Sequence, residues 1–362
     1  TAVNLGSFIA WEGDDVSQPY DWNTNENWST GSVPLNSDDI VILKGLSNYP
    51  TVTTAETVNS LTIASGASLV ASNPGFTVTN SATYTRNLAN ASQWYLMSSP
   101  VNGESYDDTW VTNNAIPSSS ADTGNRGISW YDNSSSDTDS DGASTDDSAT
   151  GYWRYMEGGS SSSFEVGRGY GLIKSTSGDA EFIGTGIYTS DQTFTLTQGD
   201  NNFNLVGNPF TAFITLGTFH TTNTANIGTD FYFWNGSSYI TRTSSGDSTY
   251  EIAPGQGFFI EASSTNNITF EISDASHQGT DTFQKSVTSN EEVIVNVSSN
   301  NQSRFARIRY NENASLGYDL GYDGKLFSGV SHAFAIYSDL VESNGKKYQS
   351  QFLPNSDYEN MV

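Results

Sequence analysis

At 362 residues the chain is long enough for two or three domains, each with a sizeable core. Its 14 Lys and Arg against 40 Asp and Glu give a net charge of −26, which disfavours nucleic-acid phosphates and anionic membranes and favours cations, calcium above all. Eight Trp, 19 Tyr and 19 Phe argue against disorder, and no apolar run is long enough to span a membrane.

The chain begins Thr1-Ala-Val without a basic and apolar leader, so a signal peptide is expected to have been cleaved. Cysteine is absent, which suits a bacterial protein that crosses an oxidising periplasm and works outside the cell. Residues 1–90 read as an aromatic cap followed by short strands. Trp11, Trp22 and Trp28 crowd among turn formers, and residues 38–43 have the pattern of a buried strand. Residues 58–63, 67–70 and 76–79 follow, separated by Ser-Gly and Asn-Pro-Gly turns. Apolar residues at alternate positions on such short strands predict one or two coils of a β-helix, or a small sandwich.

Residues 91–190 and 191–280 read as one unit written twice. Trp94-Tyr-Leu-Met-Ser-Ser-Pro100 is answered by Phe203-Asn-Leu-Val-Gly-Asn-Pro209. Aromatic stretches follow at 127–133 and 231–236. Phe164-Glu-Val-Gly-Arg-Gly-Tyr-Gly-Leu-Ile173 then matches Tyr250-Glu-Ile-Ala-Pro-Gly-Gln-Gly-Phe-Phe259 without a gap. The matched positions are packing and turn residues, whereas the acids between them do not match. A duplicated catalytic site would repeat its polar groups, so the pattern argues for a scaffold. The glycine-rich stretches precede strands rather than helices and read as turns, not phosphate loops. The only helical stretch expected is short, around residues 211–219.

Between Tyr131 and Tyr152 the first unit carries an insert of Ser, Asp, Thr and Gly. Asp137, Asp139 and Asp141 precede Gly142 in the spacing of a calcium loop, with a backbone carbonyl near Ala143 as a further ligand. Ser148 stands where a bidentate Glu belongs, and a plain solvated acidic loop is the alternative. Tyr152, Trp153, Tyr155 and Trp234 are candidates for stacking on sugar rings, while Trp94 and Trp130 are assigned to the core. His220, His277 and His332 stand in no metal-ligand spacing, and no Gly-x-Ser-x-Gly occurs. No catalytic or cofactor-binding residue stands out, and calcium is the only cofactor suggested.

Residues 281–362 read as part of a β-sandwich. Stretches 292–297 and 305–310 alternate with period two and predict paired strands with one wet face, and 346–353 resembles another strand. A sandwich needs both sheets. Its completion is therefore expected from strands beyond Val362 or from another polypeptide added along an open edge. The whole is expected to be all-β: a solenoid-like or sandwich N-terminal region, two tandem units and an incomplete C-terminal sandwich.

These motifs resemble surface and secreted proteins of Bacteroidota exported by the type IX secretion system. The resemblance rests on Trp11 to Ile42, Trp94–Val101, Asn204–Pro209, Ile252–Phe259, Asp281–Gln284 and Arg307 to Leu326, in that order. It implies export by that machinery through a C-terminal sorting domain outside this chain, and an extracellular or outer-surface location. It implies no catalytic residue. The expected function is a non-catalytic structural or adhesive module that meets surface glycans or other surface proteins. A carbohydrate-binding accessory module or a polysaccharide-active enzyme is the alternative.

Overall fold

The computed structural model describes residues 8–119, 124–134, 152–278, 283, 292–299, 302–331, 334–340 and 344–355. Strands dominate and the fold is all-β. Phe8–Ala10, Asp39–Ile42, Thr57–Ile63 and Thr77–Leu88 lie side by side in parallel, and a second face pairs Thr51–Val52 with Val70–Ala71. Ile40 pairs with Leu61 and Leu61 with Ala82, an advance of 21 residues per strand. That advance leaves room for a crossover through the second face, which parallel pairing requires. Each turn of chain therefore lays one buried side chain on the last, with Ile42, Ile63 and Tyr84 forming the next inward column. Trp11, Trp22 and Trp28 close the end of the coil, with ring centroids 5.0 Å and 4.6 Å apart in the two edge-on pairs. Two of the three buried indoles have backbone partners: Trp28 Nε1 donates to Trp22 O and Trp11 Nε1 to Asn48 O.

Two four-stranded antiparallel sheets follow. The first unit contributes Trp94–Met97, Asn125–Tyr131, Trp153–Glu157 and Tyr170–Ile173. The second contributes Phe203–Gly207, Ile227–Trp234, Tyr239–Thr243 and Gly257–Ala262. Both run in the order third, second, fourth, first strand. In both, a short helix joins the first strand to the second: α1 (Asp108–Asn113) and α2 (Leu216–Asn223). The helix expected at 211–219 starts later. Thr211 exchanges hydrogen bonds with Leu69 of the coil, and Phe213–Thr215 pair as a strand. Helix α1 was not anticipated, although Asp107 caps it by accepting from the Thr109 and Trp110 amides.

Period two decides how the units join. Tyr95 and Met97 turn into the core shared with the coil, while Leu96 faces the second sheet. There it meets Tyr131, Phe203, Leu205, Tyr232, Tyr239 and Phe259. The glycine-rich stretches do more than turn the chain. Gly169 N donates to Leu205 O, Ser98 N donates to Gly255 O, and a Cβ on Gly257 would lie 2.9 Å from the Leu96 and Met97 backbone. Each unit's turn thus presses against the other's first strand, and only glycine permits that approach.

The closing strands differ. Gly178–Gly184 pairs with Thr77–Leu88 of the coil, whereas Asn267–Phe270 pairs with Gln192–Thr195 within the second unit. The first unit therefore shares one continuous core with the coil across residue 90, and the second encloses its own. His277 docks the second unit on the coil, with Nε2 3.0 Å from Thr51 Oγ1 and Nδ1 2.8 Å from Ser68 Oγ. It and His220 are packing residues, while His332 lies outside the described residues.

In the last segment Glu292–Ser299 pairs antiparallel with Gln302–Tyr310, which lies parallel to Tyr348–Leu353. The inner strand is partly buried, but Val293, Ile294, Val295 and Val297 on the outer strand are all exposed. The expectation of one wet face is corrected here, because no layer among the described residues covers either face of that strand. The sheet is held to the second unit by Asp247, whose carboxylate lies 3.2 Å from Arg242, 3.6 Å from Arg307 and 2.9 Å from Arg309. Burial alone would raise the Asp247 pKa. The three guanidinium groups outweigh it and hold the carboxyl below the usual range.

Candidate functional site, an aromatic cleft between the two units

The face-to-face packing of the two sheets leaves a cleft where their edges diverge. Alternation on Trp153–Glu157 turns Trp153 and Tyr155 toward it and buries Arg154 and Met156 on the other face. Trp94 enters from the first strand, and Trp234 and Tyr239 from the hairpin of the second unit. These rings surround a cavity of about 230 Å³. Trp94 and Tyr155 stand 6.2 Å apart, Trp234 and Tyr239 5.0 Å apart. The Trp234 indole donates to Trp94 O at 2.8 Å, which ties the two units together at the rim. Gly171 forms the floor. A Cβ there would meet Ser129 Oγ at 2.6 Å, Trp153 Cζ3 at 3.4 Å and Trp94 Cε3 at 3.5 Å.

Trp153, Val330 and Ser331 also line a second, wider groove of about 1000 Å³, so the two spaces adjoin. Tyr152 lines this groove and packs on Tyr131 at 5.5 Å. The four aromatics singled out from sequence thus border two neighbouring spaces. Trp94, assigned to the core from sequence, is corrected to a half-buried wall of the cleft. The signal was available, because Tyr95 and Met97 are the inward residues of that strand. Trp130 is half-buried against the coil-side core, as assigned. The candidate calcium ligands Asp137, Asp139, Asp141 and Ala143 lie outside the described residues. Among the described residues no group of three potential ligands could hold a metal ion.

The acids with raised pKa values stand elsewhere. Burial pushes Glu104 up to about 8, against bonds it accepts from Ile183 N, Trp110 Nε1 and Ser99 Oγ. Burial likewise pushes Asp230 to about 7, beside Lys325, and Asp323 to about 6, where it accepts from the Phe352 and Asp319 amides. None of the three lines the cleft or the adjoining groove. Glu104 and Asp323 accept from backbone amides and packed side chains, as structural carboxyls do, and Asp230 accepts from Lys325 N. The cleft itself is lined by apolar ring faces with Ser129, Ser238, Ser331 and Arg304 as its polar groups. Such a surface is suited to stacking and hydrogen bonding. No described helix is long and apolar enough to cross a membrane. Comparison with known protein families, curated proteins and solved structures returns no match for this chain.

Proposed function

We propose that this chain is a non-catalytic adhesive module of a secreted or cell-surface protein of the type IX cargo kind, and that it binds carbohydrate in the aromatic cleft. The observation that supports it is the convergence of Trp94, Trp153, Tyr155, Trp234 and Tyr239 on one cavity floored by Gly171. Sugar rings carry an apolar C–H face and a polar hydroxyl rim. The indole and phenol faces that border the cavity match the first, and serine hydroxyls with a guanidinium match the second. Export and surface location rest on the ordered motif series from Trp11 to Leu326.

The test is affinity electrophoresis of the purified chain against a panel of polysaccharides, together with a reducing-end assay. Retardation by at least one polysaccharide, lost in Trp153→Ala while the melting temperature is held, is the expected result. No retardation by any member overturns the binding reading. Release of reducing ends above a heat-treated control overturns the non-catalytic one.

A further inference from the structure

The cleft is cationic on a protein that is otherwise strongly anionic. Of 14 Lys and Arg in the chain, Arg304 lines the aromatic cleft, and Lys325, Lys346 and Lys347 line the groove that continues from it. Among the described residues no acid lines the cleft, and Asp200 and Glu261 are the acids that line the groove, although acids outnumber bases 40 to 14 in the chain. This is the reverse of what a random scatter of charge would place there.

Arg304 stands out at the cleft. Arg126, Arg154, Arg168, Arg242, Arg307 and Arg309 each stand within ion-pair reach of a carboxylate, and Arg86 is buried away from the cleft, where it donates to Tyr84 Oη and Pro254 O. Arg304 has no such partner among the described residues. It is half-buried, its Nη1 donates to the Ser237 and Ser303 carbonyls, its guanidinium lies 5.3 Å from the centre of the Phe334 ring, and its Nε is enclosed with no described acceptor. A partly desolvated cation is costly unless an anion answers it. Lys346 and Lys347 rest over the Tyr318 and Tyr337 rings, at 5.8 Å and 4.7 Å, which holds their ammonium groups at the groove without neutralising them. Lys325 differs, being held by Glu261 and Asp230 at 3.4 Å and 3.8 Å.

We infer that the ligand is an acidic polysaccharide, a chain of uronate or sulfated sugars. One ring stacks in the aromatic cleft with its anionic group against Arg304, and the chain runs past Trp153, Val330 and Ser331 toward Lys346 and Lys347. This deepens the carbohydrate reading and rests on it. The net charge of −26 then acts as a filter. It repels polyanions from the rest of the surface and leaves one strip where they can settle.

The experiment is isothermal titration of the whole chain with four probes. Two are a polyuronate oligosaccharide and the same oligosaccharide after carboxyl reduction. The others are a sulfated galactan oligosaccharide and its desulfated form. Binding of one acidic probe about tenfold or more tighter than its neutral counterpart, weakening between 50 and 300 mM NaCl, is expected. Which acidic probe binds tells carboxylate from sulfate. Arg304→Gln should remove most of that preference. Lys346→Gln with Lys347→Gln, on exposed side chains whose ring contacts with Tyr318 and Tyr337 lie at the surface, should weaken the acidic probe several-fold and move the melting temperature only slightly. Equal affinity for acidic and neutral probes, unchanged in both variants, overturns this inference and leaves carbohydrate binding standing. No heat of binding with any probe overturns it, and failure across the wider polysaccharide panel overturns the carbohydrate reading as well.

Discussion

The two four-stranded units share a topology but not a way of filling it. Counted from Trp94 and Phe203, the twentieth residue onward is Asn114 in one and Asn223 in the other. Asn114 donates to Trp110 O and Glu181 O and accepts from Glu181 N. Asn223 does the same with Phe219 O, Thr269 O and Thr269 N. In each unit one amide ties the end of the helix to the closing strand. Ten residues after the same starting points, however, the first unit has Glu104 and the second Phe213, both buried. Glu104 satisfies the indole of Trp110, where the second unit has Phe219 stacked 4.8 Å from Phe270 and asking for no acceptor. Side chains that answer backbone groups are thus held constant, because an unmet buried amide costs more than a changed contour. Apolar volume can be traded against a self-contained polar pair.

The largest way to separate the units lies in the second. Asp247→Ala would take from Arg242 and Arg309 the carboxylate they share and leave Arg307 with Glu292 alone, 3.8 Å away, a change with no counterpart in the first unit. A loss of about 3–5 kcal/mol in denaturant unfolding is expected, with the C-terminal sheet released first. A loss below about 1 kcal/mol would show that the cluster does not hold that sheet.

The first unit should carry its own pH signature. Glu104 keeps its proton in the folded state up to about pH 8 and releases it near pH 4.5 when unfolded. Its contribution is therefore complete below pH 4.5, declines as pH rises, and is gone above pH 8, at about 1.4 kcal/mol per pH unit in that window. Glu104→Gln retains an acceptor for Ile183 N and Trp110 Nε1 and cannot ionise. It should match the parent protein at pH 4 and exceed it by a few kcal/mol at pH 9. Parallel stability–pH curves for the two proteins would refute the assignment.

Asn114→Ala and Asn223→Ala test the shared element. Each should cost about 2 kcal/mol, within about 0.5 kcal/mol of the other, measured by chemical denaturation. A large difference would mean that the helix ends are not equivalent.

The smallest contrast concerns the paired glycines. Gly257→Ala places a methyl against the Leu96 and Met97 backbone, which cannot move aside, and should cost about 1–3 kcal/mol. Gly171→Ala meets a Ser129 hydroxyl that can rotate, so the stability loss should be smaller. That methyl would nonetheless narrow the cleft, and titration with a bound polysaccharide should show weakened affinity at little cost in melting temperature.

Alternation at Ile40, Ile42, Leu61 and Ile63, the tryptophans at 11, 22 and 28, and the matched stretches at 94–100 and 203–209 were enough to read an all-β chain. Such features follow from local spacing, since period two commits one face of a strand to burial wherever the strand lies. Helix α1 was legible too, in Asp107 placed to cap it, but six residues leave too short a period to see. What the linear order could not supply was which faces meet. Trp94, Trp153 and Trp234 come from three strands of two sheets, and their cleft exists only because the sheets press together at Leu96, Leu205 and Phe259 and part beyond them. Likewise, the number of acids in the chain gives no hint that Arg304 meets carbonyls and a ring rather than a carboxylate among the described residues. Strand identity is set by neighbours along the chain. A site is set by which surfaces exclude water together, and that is decided by tertiary packing.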